Sequence, residues 1–236
     1  MRLFCRKYSL LDTGLLGGAV DSHSHILYGV DDGVRTIEES LEAIAREEEA
    51  GVTQIWCTPH VMEDIPNTTA SLKRRFEQLA SAYSGGVKLC LAAEYMIDTL
   101  FDERLSARDL LVIREDEVLV ETSVWTPPLN MADRLKRLQS IGYNPLLAHP
   151  ERYRYMAIDD YRELHEMGVR FQLNLPSVAG LYGDSVRKKA FRILEMGMYS
   201  SIGTDCHRAG ALQKLFTDSM LSKDEARRLT ILSEVV

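Results

Sequence analysis

Histidines and carboxylates that could bind metal ions recur along this chain. The densest group lies in the stretch VDSHSHILYGVDDG, where His23 and His25 stand two residues apart ahead of Asp31 and Asp32. Imidazole nitrogens and carboxylate oxygens, without cysteine thiolates, suit manganese, iron or zinc. The other candidates of these residue types are His60, Glu94, Glu121, His149, Asp205 and His207.

These residues fall at the ends of segments that are predicted as β-strands. Seven apolar segments alternate with amphipathic segments of helical periodicity, which predicts right-handed βαβ units and a parallel sheet. Both an open doubly wound sheet and a closed barrel fit this alternation. The predicted strands are residues 19–27, 52–60, 87–95, 117–123, 144–153, 169–174 and 198–207. The predicted helices are residues 36–51, 68–86, 98–105, 130–142, 159–168, 184–197 and 222–235.

Every predicted strand except one ends in a residue that could bind metal or phosphate. The exception is the sixth strand, which ends in Asn174. In a parallel α/β barrel all the strand C-termini open on one face, so the side chains would converge there. Strand alternation also predicts that His23 and His25 point to the same side and that Cys206 packs into the core. Taken singly, each of these residues would more often be a solvated loop residue or a cap; together they predict a metal site.

Composition and charge narrow the function classes. The chain has 236 residues and a net charge of −7, which disfavours nucleic acid as a partner because counterion release would contribute little. Its 4 cysteines are far apart, which favours a reducing cytoplasm over a disulfide framework. No apolar run reaches the length of a membrane span. We interpret residues 1–19 as an N-terminal extension, on the surface or in contact with a partner, and residues 20–236 as one domain.

The motifs DSHSH, CTPH, AAEY, LVET, AHPERY and GTDCH, in this order, resemble the PHP (polymerase and histidinol phosphatase) superfamily of metal-dependent phosphoesterases. The stretch HILYGVDDG, with TPH, AHPER and SVAG, is similar to the bacterial capsule and exopolysaccharide tyrosine phosphatases within it. This resemblance covers the chain from about Val20 to about His207. It implies a distorted (β/α)7 TIM-like barrel that holds up to three metal ions, often manganese.

The resemblance also implies a role for each motif residue. His23, His25, Glu94 and Asp205 would surround the first metal, and Glu94 would bridge to a second. Asp32 would bind a third metal, although the adjacent Asp31 could replace it. The second site would be completed by Glu121 and His149, and the third by His60 and His207. Arg152 would bind the substrate phosphate and act in catalysis with His149 and Asp205, and Arg208 is a further candidate for phosphate binding.

The chemistry implied is hydrolysis of a phosphate monoester. Two metal ions can orient a hydroxide towards phosphorus, while arginine neutralises the phosphate oxygens through its planar fork of donors. A covalent cysteine mechanism is disfavoured because it needs an arginine six residues after the cysteine. The corresponding positions here are Leu11, Glu63, Met96 and Leu212.

The leading hypothesis is therefore a manganese-dependent protein-tyrosine phosphatase acting on a bacterial tyrosine kinase that controls polysaccharide export. One alternative is a small-molecule phosphatase of the histidinol-phosphate type on the same barrel, because metal ligands do not distinguish these substrates. Another is a scaffold that binds metals without catalysis. Iron or zinc could replace manganese at such ligands.

Overall fold

The computed structural model describes residues 6–232, in which nine short parallel strands form one curled sheet with the order β3-β5-β6-β7-β8-β9-β1-β2-β4. The strands are β1 Val20–Ser24, β2 Gln54–Cys57, β3 His60–Val61, β4 Lys88–Leu91, β5 Glu94–Met96, β6 Glu117–Glu121, β7 Asn144–Leu147, β8 Arg170–Asn174 and β9 Tyr199–Gly203. Seven of them lie within the predicted segments, and β3 and β5 each extend one residue beyond the end of theirs.

Two predicted strands are interrupted. Residues 52–60 divide into β2 and β3, and residues 87–95 divide into β4 and β5, but the pairing register does not change. Gln54 pairs with Lys88 and His60 pairs with Glu94, an offset of 34 residues on both sides of the interruption. The backbone hydrogen bond from the Ala92 N–H to the Cys57 carbonyl, 2.9 Å long, crosses it. Joined in this way, the strands make a closed ring of seven, which confirms the distorted (β/α)7 barrel.

Helices cover the outside of the ring. They are α1 Ile37–Ala50, α2 Thr69–Ala82, α3 Thr99–Ala107, α4 Met131–Ser140, α5 Ile158–Glu166, α6 Leu175–Val178, α7 Asp184–Glu195, α8 Ala209–Thr217 and α9 Lys223–Leu232. Helix α1 is capped at both ends, because the Thr36 side chain accepts a hydrogen bond from the Glu39 N–H and Gly51 ends the helix in the left-handed region. The sequence interpretation missed α6 and α8. The last predicted helix extends to residue 235, and its part after residue 232 lies outside the described residues.

The barrel interior is layered by strand alternation. Along β6, Leu119 belongs to a small apolar cluster with Trp56, whereas its neighbours Val118 and Val120 belong to the large core under the helices. Glu121, two residues after Leu119, shares its side of the strand and lies at the C-terminal end. The apolar layer therefore forms a floor beneath the strand ends, and the polar residues lie above it.

The segment before β1 packs against the barrel. Leu10, Leu15 and Leu16 are each 1% exposed, and Tyr8 exchanges two backbone hydrogen bonds with Leu221. Three leucines of this segment therefore contribute to the core, whereas Arg6, Lys7 and Leu11 are exposed, and the interpretation of residues 1–19 as an extension stays a prediction. The domain boundary at residue 20 stays a prediction. Among the described residues, none of the helices combines the length and apolarity needed to cross a membrane.

Candidate metal centre

Histidines and carboxylates from six of the strand ends converge above the barrel floor. The Nε2 atoms of His23 and His25 lie 3.1 Å apart, which confirms that the two rings share one side. Glu94 is fully buried, and its Oε2 lies 3.2 Å from both of these nitrogens. Asp205 Oδ1 lies 3.6 Å from His23 Nε2 and 3.5 Å from His25 Nε2. This group contains the four residues predicted around the first metal.

The remaining predicted ligands lie on two sides of this group. His149 Nε2 is 3.1 Å from Glu94 Oε1 and 3.7 Å from Glu121 Oε2. On the other side, Asp32 Oδ1 is 3.4 Å from His207 Nε2 and 3.6 Å from His60 Nε2. All nine predicted ligands are thus in one contiguous cluster, and the assignment of each to a particular ion stays a prediction.

His60 lies between the second and third groups. Its Nδ1 is 3.1 Å from Glu94 Oε2 and 3.0 Å from Glu121 Oε1, while its Nε2 faces Asp32. A neutral imidazole offers one acceptor nitrogen and one N–H. His60 in this form could therefore bind an ion on only one side and would donate a hydrogen bond on the other.

The donor set fits divalent cations. Glu94 Oε2, Glu121 Oε1 and His60 Nδ1 are buried and lack a hydrogen-bond partner, although they lie close together. His23 Nδ1 lies 3.0 Å from the Gln172 side-chain oxygen and His25 Nδ1 lies 2.8 Å from Asp31 Oδ2, so each Nδ1 is placed to donate. The two facing Nε2 atoms would then both present lone pairs, which a shared cation satisfies and a hydrogen bond between neutral rings does not.

Asp31 and Asp32 are placed for different tasks. The buried Asp31 carboxylate accepts hydrogen bonds from the backbone N–H groups of Gly33 and His60 and faces His25 Nδ1. Asp32 has a side chain that is 66% exposed and faces the rings of His60 and His207. A carboxylate bonded to the distal nitrogen of a ligand histidine fixes its orientation. The geometry favours Asp32 as a ligand and Asp31 as the residue that orients His25.

The pKa values of His25 and His60 are raised in the metal-free cluster. Burial lowers the pKa of His25, as does the positive charge of His60, but the hydrogen bond to Asp31 and the close carboxylate of Glu94 outweigh both and raise it to about 10. Burial also lowers the pKa of His60, but the charge of Glu94 and the nearby carboxylate of Glu121 raise it to about 11. Without metal, these rings are held as cations by the carboxylates around them.

The carboxylates respond in the opposite direction. Burial alone would raise the pKa of Glu94, but the nearby His23 and His60 hold it well below its ordinary value. Burial likewise acts on Asp205, whose pKa is lowered to about 2 by the charges of His23, His149 and His25. Both groups therefore remain anionic at neutral pH and are ready to bind a cation.

Two buried residues that the sequence interpretation missed fix the ligand backbone. Asp21 accepts hydrogen bonds from the His23 N–H and from the Thr204 N–H and hydroxyl. It lies where β1 shifts register against β2, an irregularity that can re-aim side chains beside active sites. Gln172 accepts a hydrogen bond from the His149 N–H and contacts His23 Nδ1. Neither residue stands at a strand end, so the pattern that identified the ligands could not find them.

Arg152 and Asn174 complete one wall of the site. Arg152 Nη1 donates to Asp205 Oδ2 at 2.8 Å, and its guanidinium lies 4.5 Å from the centre of the Tyr182 ring. Asn174 donates to the same Asp205 oxygen at 3.0 Å, while its own Oδ1 is buried without a partner. The sixth strand is therefore no exception, because Asn174 also lies in the cluster. Its amide is not among the residue types that suggested a metal site.

The surroundings of Arg208 and Arg154 differ from those of Arg152. Arg208 Nη1 donates to the backbone carbonyls of Asp32, Gly33 and His207, so this arginine holds the Asp32 loop to the end of β9. Its phosphate-binding role stays a prediction. The guanidinium of Arg154 stacks 3.9 Å from the ring centre of Trp125, which is 62% exposed.

Two of the candidate ligands have backbones in the left-handed region. The φ angle is +34° at His149 and +50° at Asp205. Side chains larger than glycine occupy this region at a cost of about 1–3 kcal/mol each, and such strain is concentrated at functional sites. The surrounding hydrogen bonds therefore hold these two residues in positions that an isolated chain would avoid.

Comparison with known proteins assigns the chain to a family. Residues 19–220 match the family described as capsular polysaccharide synthesis, CpsB/CapC. The chain belongs to the CpsB/CapC family. This match spans every strand and all nine candidate ligands. It agrees with the resemblance to the capsule and exopolysaccharide branch of the PHP superfamily that the motifs indicated.

Curated relatives of this chain are named as tyrosine-protein phosphatases. The tyrosine-protein phosphatase CpsB of Streptococcus agalactiae is 29% identical over 208 residues, covering 80% of this chain and 82% of that protein. The tyrosine-protein phosphatase YwqE of Bacillus subtilis is 26% identical over 195 residues, covering 80% of this chain and 77% of that protein.

Solved structures support the fold. One match is to the crystal structures of YwqE from B. subtilis and CpsB from Streptococcus pneumoniae, described as metal-dependent tyrosine phosphatases. It has a TM-score of 0.77 and 24% identity and covers 89% of this chain and 85% of that one. A histidinol phosphate phosphatase from Lactococcus lactis, complexed with zinc, L-histidinol and phosphate, matches with a TM-score of 0.58 and 17% identity, covering 93% of this chain and 95% of that one. At these identities the likeness concerns the barrel alone.

Proposed function

We propose that this CpsB/CapC protein is a metal-dependent protein-tyrosine phosphatase that uses Mn²⁺, in up to three sites. The observation that carries the proposal is the buried cluster of His, Asp and Glu donors beside an arginine. The fold family and the names of its relatives support the substrate class. When bound, the divalent ions supply Lewis acidity that neutralises phosphate charge and lowers the pKa of the water that attacks phosphorus.

The chain's own contribution is to bind the phosphate through Arg152 and to fix the orientation of that side chain. Within residues 6–232 the side chain of Arg152 makes one hydrogen bond, through Nη1 to Asp205, which leaves the rest of its donor fork for phosphate oxygens. Its pKa is raised: burial lowers it, but Asp205 and other nearby anionic groups outweigh that effect. The guanidinium therefore stays charged throughout catalysis. The Tyr182 ring beneath it restricts the orientation of the fork.

We further propose that the substrate is a phosphotyrosine on a bacterial tyrosine kinase that regulates capsule or exopolysaccharide synthesis, in the cytoplasm. The family description and the relatives' names support the link to capsular polysaccharide. Three cysteines within the described residues, Cys57, Cys90 and Cys206, are unpaired, which suits a reducing compartment. Cys206 is 5% exposed and packs in the core as predicted, so it is a poor nucleophile.

The test is phosphate release from a phosphotyrosine peptide by the metal-loaded protein, with and without chelator. We expect turnover with Mn²⁺ and none after chelation. His149→Ala should abolish turnover, because its Nε2 lies against the carboxylate predicted to bridge two ions, whereas the exposed His165→Ala on α5 should match the wild type. Absence of metal-dependent phosphate release, or full activity of His149→Ala, would contradict the proposal.

Two alternative functions can be distinguished from the proposed one by experiment. A small-molecule phosphatase would hydrolyse histidinol phosphate in preference to a phosphotyrosine peptide, so the two substrates should be compared in competition. A non-catalytic scaffold would bind metal and turn over neither. Elemental analysis of the purified protein, run beside these assays, identifies manganese, iron or zinc.

A further inference from the structure

A polar pocket lies beside the metal centre, behind the loop that carries Asp31 and Asp32. Its volume is about 300 Å³. One wall is formed by Gly29 and Val30, immediately before the two aspartates. The other wall is part of α2, which starts after β3 and so begins at the face of the barrel where the strands end. The α2 side chains in this wall, with Asn67 before the helix, are Ser71, Arg74, Arg75 and Gln78.

The two arginines of this pocket have no carboxylate partner. Within residues 6–232, no salt bridge reaches Arg74 or Arg75, although the whole chain has a net charge of −7. In the other basic run, residues 187–189, two of the side chains bond to groups within the protein. There Arg187 pairs with Glu225 at 2.8 Å, and Lys189 donates to the carbonyls of Tyr153 and Met156. A pair of unneutralised guanidinium groups facing a cavity is a favourable site for an anion.

The pocket is also partly preorganised. The Arg75 guanidinium lies 4.4 Å from the ring centre of Tyr28, whose hydroxyl donates to Gln78 Oε1 at 3.1 Å. Stacking of this kind limits the rotamers of an arginine and lowers the entropy lost on binding. Asn67 links the pocket to the metal centre, because its side-chain amide donates to the carbonyls of both Val30 and His60. A ligand held here would therefore contact the loop that presents Asp32.

We propose that this anion pocket binds the carboxylate side chains of acidic residues flanking the target phosphotyrosine, so that the preferred substrate is an acidic peptide. This inference rests on the proposed function. The phosphotyrosine would reach the metal centre while a neighbouring Asp or Glu pairs with Arg74 and Arg75. The chemistry is that of arginine forks with carboxylates, and it requires no metal in the pocket.

The experiment compares two peptides with one phosphotyrosine each, flanked by Glu in one and by Gln in the other, together with free phosphotyrosine. We expect the wild type to favour the Glu peptide about fivefold, mainly through KM, as partly exposed charge pairs allow. Arg74→Ala/Arg75→Ala should remove that preference and leave turnover of free phosphotyrosine within about twofold. A matched control, Arg162→Ala/Arg192→Ala, removes two exposed arginines elsewhere and should keep the preference.

Direct binding separates this inference from the proposed function. Anisotropy of a fluorescein-labelled, unphosphorylated Glu peptide should show tighter binding than its Gln analogue, and Arg74→Ala/Arg75→Ala should lose the difference. If this holds while no phosphotyrosine is hydrolysed, the pocket stands and the phosphatase function fails. Equal binding of the two peptides by the wild type, or an unchanged preference in the double variant, overturns the pocket. If the pocket binds inorganic phosphate but does not bind the Glu peptide, the proposal of an acidic peptide site is also overturned.

Discussion

Asp31 and Asp32 are adjacent in sequence but differ in what their carboxylates contact, and this difference can be measured. Asp32→Asn should remove one bound metal ion per chain, because its oxygen faces His60 and His207. Asp31→Asn should keep the stoichiometry and weaken metal binding by about 10–100-fold, as loss of an orienting carboxylate does. Isothermal titration with elemental analysis measures both quantities. The opposite pattern would assign Asp31 as the ligand.

Proton release should accompany metal binding. Without metal, His25 and His60 have pKa values raised to about 10 and about 11, so both are protonated at pH 7. A ligand imidazole must be neutral, so metal affinity should increase as pH rises from 7 towards these values. Titrations at pH 7 in buffers of different ionisation enthalpy should show protons released to the buffer. A heat independent of the buffer would contradict this.

The same raised pKa values have a consequence for the metal-free protein. The folded state binds protons more tightly than the unfolded state, so the stability contributed by His25 and His60 is fully present below their ordinary pKa of about 6.5. It is lost as pH rises through about 10 and about 11. Urea unfolding of the chelated protein should therefore show this contribution declining from pH 7 to pH 10.

At the level of strands, β8 and β9 approach too closely for any side chain on Gly203. A Cβ there would lie 2.6 Å from both Gln172 Nε2 and His23 Cβ. Gly203→Ala should destabilise the fold by about 1–3 kcal/mol and weaken metal binding, because the clash displaces His23 and the amide that orients it. Gly210→Ala on α8 meets open space and is the matched control. Urea unfolding and metal titration of both variants test this, and equal stability would refute it.

The sequence predicted the strands better than it predicted their interruptions and connections. Alternation of apolar residues located all seven ring positions and so located the ligands at their ends. Alternation alone did not show that the second and third strands break near Pro59 and Ala92, although Pro59, which has no backbone N–H to donate, was a signal for the first of these breaks. Helix α8 was missed because it is short and begins two residues after the end of the seventh predicted strand. Asn174 was set aside because an amide is a weaker signal than a carboxylate or an imidazole.

For the whole molecule, the metal ions should tie together strands that are distant in sequence. The candidate ligands extend from His23 to His207, so an ion that binds only the folded chain stabilises the entire barrel. Free metal at 100 times Kd contributes about 2.7 kcal/mol, which corresponds to a rise in Tm of roughly 5–10 °C for a domain of this size. A thermal melt with chelator, and another after Mn²⁺ is restored, should show this difference. An unchanged Tm would mean that the cluster does not bind metal in the folded state.

The layering of the barrel gives the protein two separate optical reporters. The chain has 2 tryptophans, and they occupy opposite environments. Trp56 is 9% exposed in the floor beneath the site, whereas Trp125 is 62% exposed on the rim beside Arg154. Emission from Trp56 should therefore be blue-shifted and change only when the barrel opens. Emission from Trp125 should be red-shifted and quenched by iodide. It should also change when a peptide covers this part of the surface. With Trp56→Phe, fluorescence would follow substrate docking alone; with Trp125→Phe, it would follow unfolding alone.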